Sequence, residues 1–280
     1  EDLILLARSF KNSTELFLLN RVIKDGSLIA EIKLEFDEEG NIEKGYKITG
    51  FIKNGKLNFL NKIRANNLNL KFDIQKNKYS LVEIKGDINE IKLSSPFFEI
   101  NQKKDHFLIT GKIISNKKEF NNDQLKLMSS SFLKNPYIEK AKFSSENDIS
   151  FRINKKLKIN NLDIVSKINL DKLVVKKNFT NLQEYLPNLE ELINFENHEI
   201  TINYNKENLD IKGNGKILVK DMYDLIDYEI LKNNDKFTFN TKTNFKNSKL
   251  LIEFLDYEKK ENADALIIIK GTFKKNSPIN

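Results

Sequence analysis

Few residues in this chain could carry acid–base, metal or nucleophilic chemistry, and their spacing is poor. His106 and His198 are the only two histidines and stand 92 residues apart. Neither has partners at the short spacings that metal ligation or general-base catalysis needs, so both read as surface histidines. Asp221, Asp224 and Asp227 in "KDMYDLIDYE" recur every third residue, which could gather carboxylates on one helical turn. No glycine-bearing calcium loop accompanies them, and a solvated helix face or loop is the expectation. "GNGKIL" lacks the third glycine of a dinucleotide fingerprint and continues as a strand rather than a helix. No serine sits in a nucleophile elbow, and no glycine-rich loop precedes Lys-Ser/Thr. With no cysteine in the chain, disulfides and thiolate metal sites are excluded. The expectation is a protein that is not an enzyme and takes no cofactor or metal.

The elements that must carry any function are written in the charge and hydropathy pattern. Hydrophobic residues make up 39% and charged residues 31% of 280 residues, a balance that suits sheets with one wet face. The net charge of +7 and pI of about 9.1 could point to nucleic acid. Lysines are instead spread among Asp and Glu, with runs no denser than Lys117-Lys118 and Lys176-Lys177. That distribution describes solvated faces, and no nucleic-acid partner is expected. No run reaches the ~18 apolar residues of a membrane span, and no signal-peptide pattern is present. The chain opens at Glu1 without a methionine, which fits a piece of a longer or processed protein.

Period-two alternation, the signature of a half-buried strand, recurs throughout. In "LIAEIKLEFD" Leu28, Ala30, Ile32, Leu34 and Phe36 oppose Glu31, Lys33, Glu35 and Asp37. Further strands are expected at 46–52, 68–74, 82–88, 107–113, 149–153, 200–204, 211–219, 237–239 and 267–273. Between them "DEEGN", "KNGK", "NQKKD", "YNKEN" and "KNND" supply turn residues, so neighbours should pair antiparallel. Two or three short helices are expected: one from Asn12 to Gly26, one in "DQLKLMSSSFLKNP", and one starting near Pro187 with Leu189, Leu192 and Ile193 at helical spacing. No linker is evident. The organisation read from this is a helical leading segment over 1–26 and a continuous β-rich region over 27–280, with a possible sub-boundary near 165.

Glycine placement is the strongest local signal. Ile-Lys/Thr-Gly occurs five times, at Gly50, Gly86, Gly111, Gly213 and Gly271, separated by 36, 25, 102 and 58 residues. The irregular spacing excludes a fixed-period solenoid. Each glycine shares the apolar side of its strand with large neighbours: Ile48 and Ile52, Ile84 and Ile88, Ile109 and Ile113, Ile211 and Ile217 around a second glycine, Gly215, and Ile269 and Phe273. A strand glycine costs about 0.5–1 kcal/mol and contributes no packing, so the repetition needs a reason. One reason is curvature, or close approach of a neighbouring backbone or Phe. The other is room on a concave face for an acyl chain. With Leu70, Phe72 and Ile202, these residues are the candidates for lining a lipid groove.

The "I-x-G-x-I/F" strands, the opening "GSLIAEIKLEFDEEGNIEKGYKITGFIKNGKL" and the block "FTNLQEYLPNLEELINFENHEITINYNKENLDIKGNGKILV" resemble the β-rich repeats of the bacterial AsmA-like family of envelope proteins, of the YhdP and TamB type. The resemblance runs from about Gly26 to the end and rests on pattern rather than a signature motif. It implies a mainly β fold, an elongated and curved antiparallel sheet forming an open, taco-like groove. It further implies a periplasmic segment of an inner-membrane-anchored protein of a Gram-negative bacterium, binding phospholipid acyl chains and passing lipid toward the outer membrane. The membrane contact would lie in parts of the parent chain outside this sequence. The family offers no catalytic residues to carry over. A structural or adhesive β-sandwich without ligand is the competing expectation.

Overall fold

The computed structural model of the chain describes residues 23–40, 42–59, 63–75, 77–89, 91–128, 138–154, 156, 158–176, 192–219 and 222–274. Within them the fold is mainly β and antiparallel. The strands are β1 (Ile23–Phe36), β2 (Ile42–Phe59), β3 (Ile63–Gln75), β4 (Lys78–Ile88), β5 (Ile91–Gln102), β6 (His106–Asn121), β7 (Ile138–Asn154) and β8 (Ile159–Lys176), followed by β9 (Leu192–Tyr204), β10 (Asn208–Val219), β11 (Met222–Asn233), β12 (Lys236–Asn244), β13 (Leu250–Ile252), β14 (Tyr257–Lys259) and β15 (Leu266–Lys274). The hydrogen-bonded order follows the sequence from β1 to β12 and ends on β15, and it is open; β13 and β14 pair separately. A 3-10 turn, Glu253–Leu255, joins those two. Among the described residues there is one α-helix, α1 (Asn122–Met128). The helix expected over 12–26, and the helical leading segment over 1–26, lie outside the described residues as far as residue 22 and need correcting at their end, since residues 23–26 open strand β1. The start of the helix expected near Pro187 also lies outside the described residues. That second expectation needs correcting at its end, since Leu192 and Ile193 open strand β9 and pair with Lys176 and Val175.

The chain forms two compact units, one of residues 1–115 with 148–162 and one of 116–147 with 163–280. In the first unit, side chains directly opposite one another across an antiparallel ladder share a face. The register therefore writes out continuous apolar rows. One runs Ile32, Ile48, Ile74, Tyr79, Ile100, Ile109, and the next Ala30, Gly50, Phe72, Leu81, Phe98, Gly111. Leu68, Leu70 and Phe72 are the buried centre, with Ile48, Ile52, Ile84 and Leu81 packed around them. The second unit repeats the plan. Its rows include Ile202, Ile211, Ile230, Phe239, Gly271 and, one step along, Ile168, Ile200, Gly213, Tyr228, Thr241, Ile269. Among the described elements, the closest contacts run between hydrogen-bonded neighbours, and Phe245, just after β12, packs on Ile193, Phe195, Ile217 and Ile267.

Asparagine supplies the irregular backbone. Of ten non-glycine residues with positive φ among the described residues, eight are Asn, the residue whose short amide best tolerates the left-handed region. Asn77, Asn89 and Asn234 sit in two-residue hairpin turns, where that conformation matches strand twist. Others make bulges inside strands. "KNGK" is one such case and a correction to the sequence reading: it is no turn but a bulge within β2, with Asn54 at φ 53° and the register to β3 broken between Ile52 and Gly55. The Asn69 side-chain oxygen accepts the Asn54 amide at 3.2 Å, which satisfies the donor that the bulge removes from the ladder.

Candidate functional site

All nineteen groove candidates fall on one face of their own unit. In the first unit Ile48, Gly50, Ile52, Leu70, Phe72, Ile84, Gly86, Ile88, Ile109, Gly111 and Ile113 share a side, because the bulges in β3, β4 and β5 shift the alternation together. In the second unit Ile202, Ile211, Gly213, Gly215, Ile217, Ile269, Gly271 and Phe273 do so. Leu70 and Phe72 are buried, most of the others are half-buried, and Ile269 is 51% exposed.

The glycines have a common local cause. At Gly50, Gly111, Gly213 and Gly271 the residue directly opposite on one neighbouring strand is an aromatic: Phe72, Phe98, Tyr228 and Phe239. A β-carbon at any of these glycines would approach that ring closer than 3.0 Å. Each ring thus lies over its glycine instead of standing off the sheet, a cross-strand arrangement that restores the packing glycine forfeits. Gly215 is covered in the same way by the His198 ring, and Gly86 more loosely by Leu68 Cδ1 at 3.2 Å. Close approach of a neighbouring ring, one of the two reasons set out above, therefore accounts for four of the five Ile-Lys/Thr-Gly sites. The sequence reading missed the covering residues Phe98, Tyr228, Phe239 and His198. A signal for them existed in the register: a strand carrying an apolar-face glycine should be aligned with one carrying an aromatic at the matching position.

Over the second unit these rings border an apolar cavity of about 370 Å³, lined by Leu170, Leu173, Phe195, His198, Ile200, Ile226, Tyr228, Ile230, Phe239 and Thr241. Burial pushes the Tyr228 phenol up to about 12, so it stays neutral there. The opposite face is polar. Its cleft of about 530 Å³ includes Lys167, Asn169, Glu199, Lys212, Asp227 and Glu229. Lys212 meets Glu229 at 3.0 Å and Asp210 at 3.6 Å. The Glu229 hydrogen bond, then the charge of Asp210, hold its ammonium above the usual range.

His198 is not the surface residue its sequence context suggested. It is 2% exposed. Nε2 donates to the Lys216 carbonyl at 3.0 Å, and the ring lies 5.7 Å from Phe195 and 5.8 Å from Tyr228. Nδ1 is buried and unpartnered among the described residues. The cause is a bulge: Asn197 takes φ 53° and the β9–β10 register slips between Asn214 and Lys216, which sets the ring over Gly215. Burial depresses the His198 pKa below 6.5, opposed by the bond to Lys216. A depressed folded-state value means the unfolded chain binds the proton more readily. The stabilisation is then complete above about pH 6.5 and is lost as pH falls below it. Urea midpoints at pH 7.5 and pH 5 should differ more in wild type than in His198→Phe, which keeps a ring over Gly215 but cannot titrate; equal pH dependence in the two would refute the assignment.

The aspartates also depart from expectation. Asp224 and Asp227 lie on strand β11, not on a helix or loop, while Asp221 is outside the described residues. Asp224 is 2% exposed and accepts hydrogen bonds from the Asn247 amide at 2.9 Å and from the Ser248 hydroxyl. It is a latch for the excursion from Phe245 to Ala265. The same excursion is tied internally by Lys259, 3% exposed, whose ammonium donates to the carbonyls of Lys246, Lys260 and Ala263 at 2.9–3.1 Å. Phe245 packs with Ile193, Phe195, Ile217 and Ile267 at one end of the apolar rows. Among the described residues no group of three or more His, Cys, Asp or Glu could hold a metal ion, and no helix is long and apolar enough to cross a membrane.

No protein-family model, curated protein or solved structure matches this chain.

Proposed function

We propose that this chain is a segment of a bridge-like phospholipid-transport protein of the AsmA-like kind, working in the periplasm of a Gram-negative bacterium as part of an inner-membrane-anchored protein. Its apolar face is the surface that shields acyl chains. The observation carrying this reading is that apolar rows cross strand after strand in each unit and that large side chains on them, Ile32, Phe36 and Ile269, stay more than half exposed. A monomeric soluble protein rarely leaves so large an apolar surface without a partner. Rings lying flat on glycines also suit the role. They keep the surface apolar and low in relief, so a chain can slide along it without being gripped in one pocket. Each methylene moved from water to such a surface contributes ~0.8 kcal/mol, enough to hold a tail without any polar contact. Curvature of the sheet into an open groove belongs to the same proposal.

Organic extraction of the purified chain followed by lipid mass spectrometry tests it. The expected result is copurified phospholipid in near-stoichiometric amount, reduced by Ile211→Asp combined with Ile230→Asp, with the polar-face variant Asn214→Asp as the unaffected control. A lipid-free wild-type protein would overturn the reading and favour a ligand-free structural or adhesive role.

A further inference from the structure

The first and last strands of the hydrogen-bonded order, β1 and β15, are paired on one side only among the described residues. Natural edge strands are usually short, bulged or covered, because a free row of N–H and C=O groups templates pairing with another chain. Among the described residues β15 has none of these protections. Its nine residues pair with β12 without a register break, and Leu266, Ile268 and Ile269 are 59%, 54% and 51% exposed. β1 likewise exposes Ile29, Ile32 and Phe36. The charges on the two strands are opposite in sign where they matter: Lys270 and Lys274 on β15, Glu31 and Glu35 on β1. Among the described residues Glu31 meets only Lys33, its neighbour on the same exposed strand. Glu35, Lys270 and Lys274 have no ion-pair partner among the described residues.

We propose that β15 of one copy of this chain pairs with β1 of a second copy, parallel and in a single register. Setting Ile268 beside Ile29 fixes that register. Lys270 then lies beside Glu31 and Lys274 beside Glu35, while Ile267 faces Leu28 and Phe273 faces Leu34, apolar side against apolar side. All nine residues of β15 find a counterpart on β1. An antiparallel placement that keeps both ion pairs runs Leu266 to Ile268 past Phe36, the end of β1, and covers only part of the strand. The contact joins two different surfaces, so copies add head to tail, into a ring if the rotation between them closes and a filament if it does not. This pairing is independent of the lipid reading and stands or falls without it.

The absence of cysteine from the chain permits a clean test. Ile29→Cys and Ile268→Cys are made singly in chains of distinguishable mass, mixed and oxidised. Both positions are exposed, so folding should be unchanged, as circular dichroism would verify. The expected result is a mixed dimer in at least roughly tenfold excess over either self-dimer. The double variant should give a ladder of multimers. Lys270→Glu with Lys274→Glu in the Ile268→Cys chain should cut the yield roughly tenfold, restored when the other chain carries Glu31→Lys and Glu35→Lys. Mixed dimer no more abundant than self-dimers, or a yield indifferent to charge reversal, would overturn the proposal.

Discussion

Gly50→Val should be among the most damaging single substitutions in the first unit, lowering stability by about 3 kcal/mol. Gly50 is set apart from the other covered glycines by what surrounds it. A β-carbon there meets not only the Phe72 ring but the Ile29 backbone carbonyl and the Ala30 α-carbon, all closer than 3.0 Å. A ring can rotate away, but a paired backbone cannot move without breaking its ladder. The substitution therefore pries β1 from β2 along the Ala30–Gly50 row. Thermal unfolding should shift down by about 6–12 °C at 2–4 °C per kcal/mol, and amides of β1 should lose exchange protection first. Gly86→Ala is the internal control. Its nearest neighbour is the flexible end of Leu68 at 3.2 Å, so the cost should stay under about 1 kcal/mol. Equal effects at the two sites would mean that strand glycine is needed for its backbone freedom and not for close approach.

The same contrast bears on function. Were the glycines simply gaps left for a ligand, filling any of them would cost binding and spare the fold. The rings over Gly111, Gly213 and Gly271 make filling a matter of displaced aromatics. A fair test of lipid contact must therefore act on the rows between the glycines, as the Ile211 and Ile230 substitutions do.

The alternation of β1 and β10 announces a β fold because each keeps one phase along its apolar side. Strand β5 hides from that reading, since the irregularity at Ser95-Pro96-Phe97 switches the phase, with Ser95 Oγ donating to the Phe97 carbonyl at 2.8 Å. Strand β11 hides for a different reason. Tyr223, Leu225 and Leu231 are apolar on one side, and Ile226, Tyr228 and Ile230 on the other, so no alternation survives. An Asn-Gly pair serves a bulge as well as a turn, and only the reach of Asn69 from the next strand decides between them at Asn54. His198 was half legible. Counting back by twos from Tyr204 through Ile202 and Ile200 lands on it, which assigns it to the apolar face. The glycine that makes room for it is 17 residues away in the sequence and becomes its neighbour only through the slipped register.

Lys259→Met should release the excursion from Phe245 to Ala265 while leaving the strands before it in place. A buried ammonium usually faces a carboxylate; this one is held by three backbone carbonyls, which together use all three of its donors. Methionine fills similar volume yet leaves three acceptors without a donor, each costing about 1–3 kcal/mol if it stays dry. The excursion would open to water before accepting the full sum, so the expected local loss is about 3 kcal/mol. At 1.4 kcal/mol per tenfold, amides in β13 and β14 should exchange on the order of a hundredfold faster, with β9 to β11 little changed. Lys259→Arg, which keeps the charge but not the fit, should fall between. The effect should reach the apolar face through Phe245, whose packing on Ile193 and Ile217 depends on the excursion staying closed. A thiol-reactive probe at Ile217→Cys should then label faster in the Lys259→Met background. Unchanged labelling together with unchanged exchange would show that Asp224 alone holds the excursion and that the caged lysine contributes nothing to it.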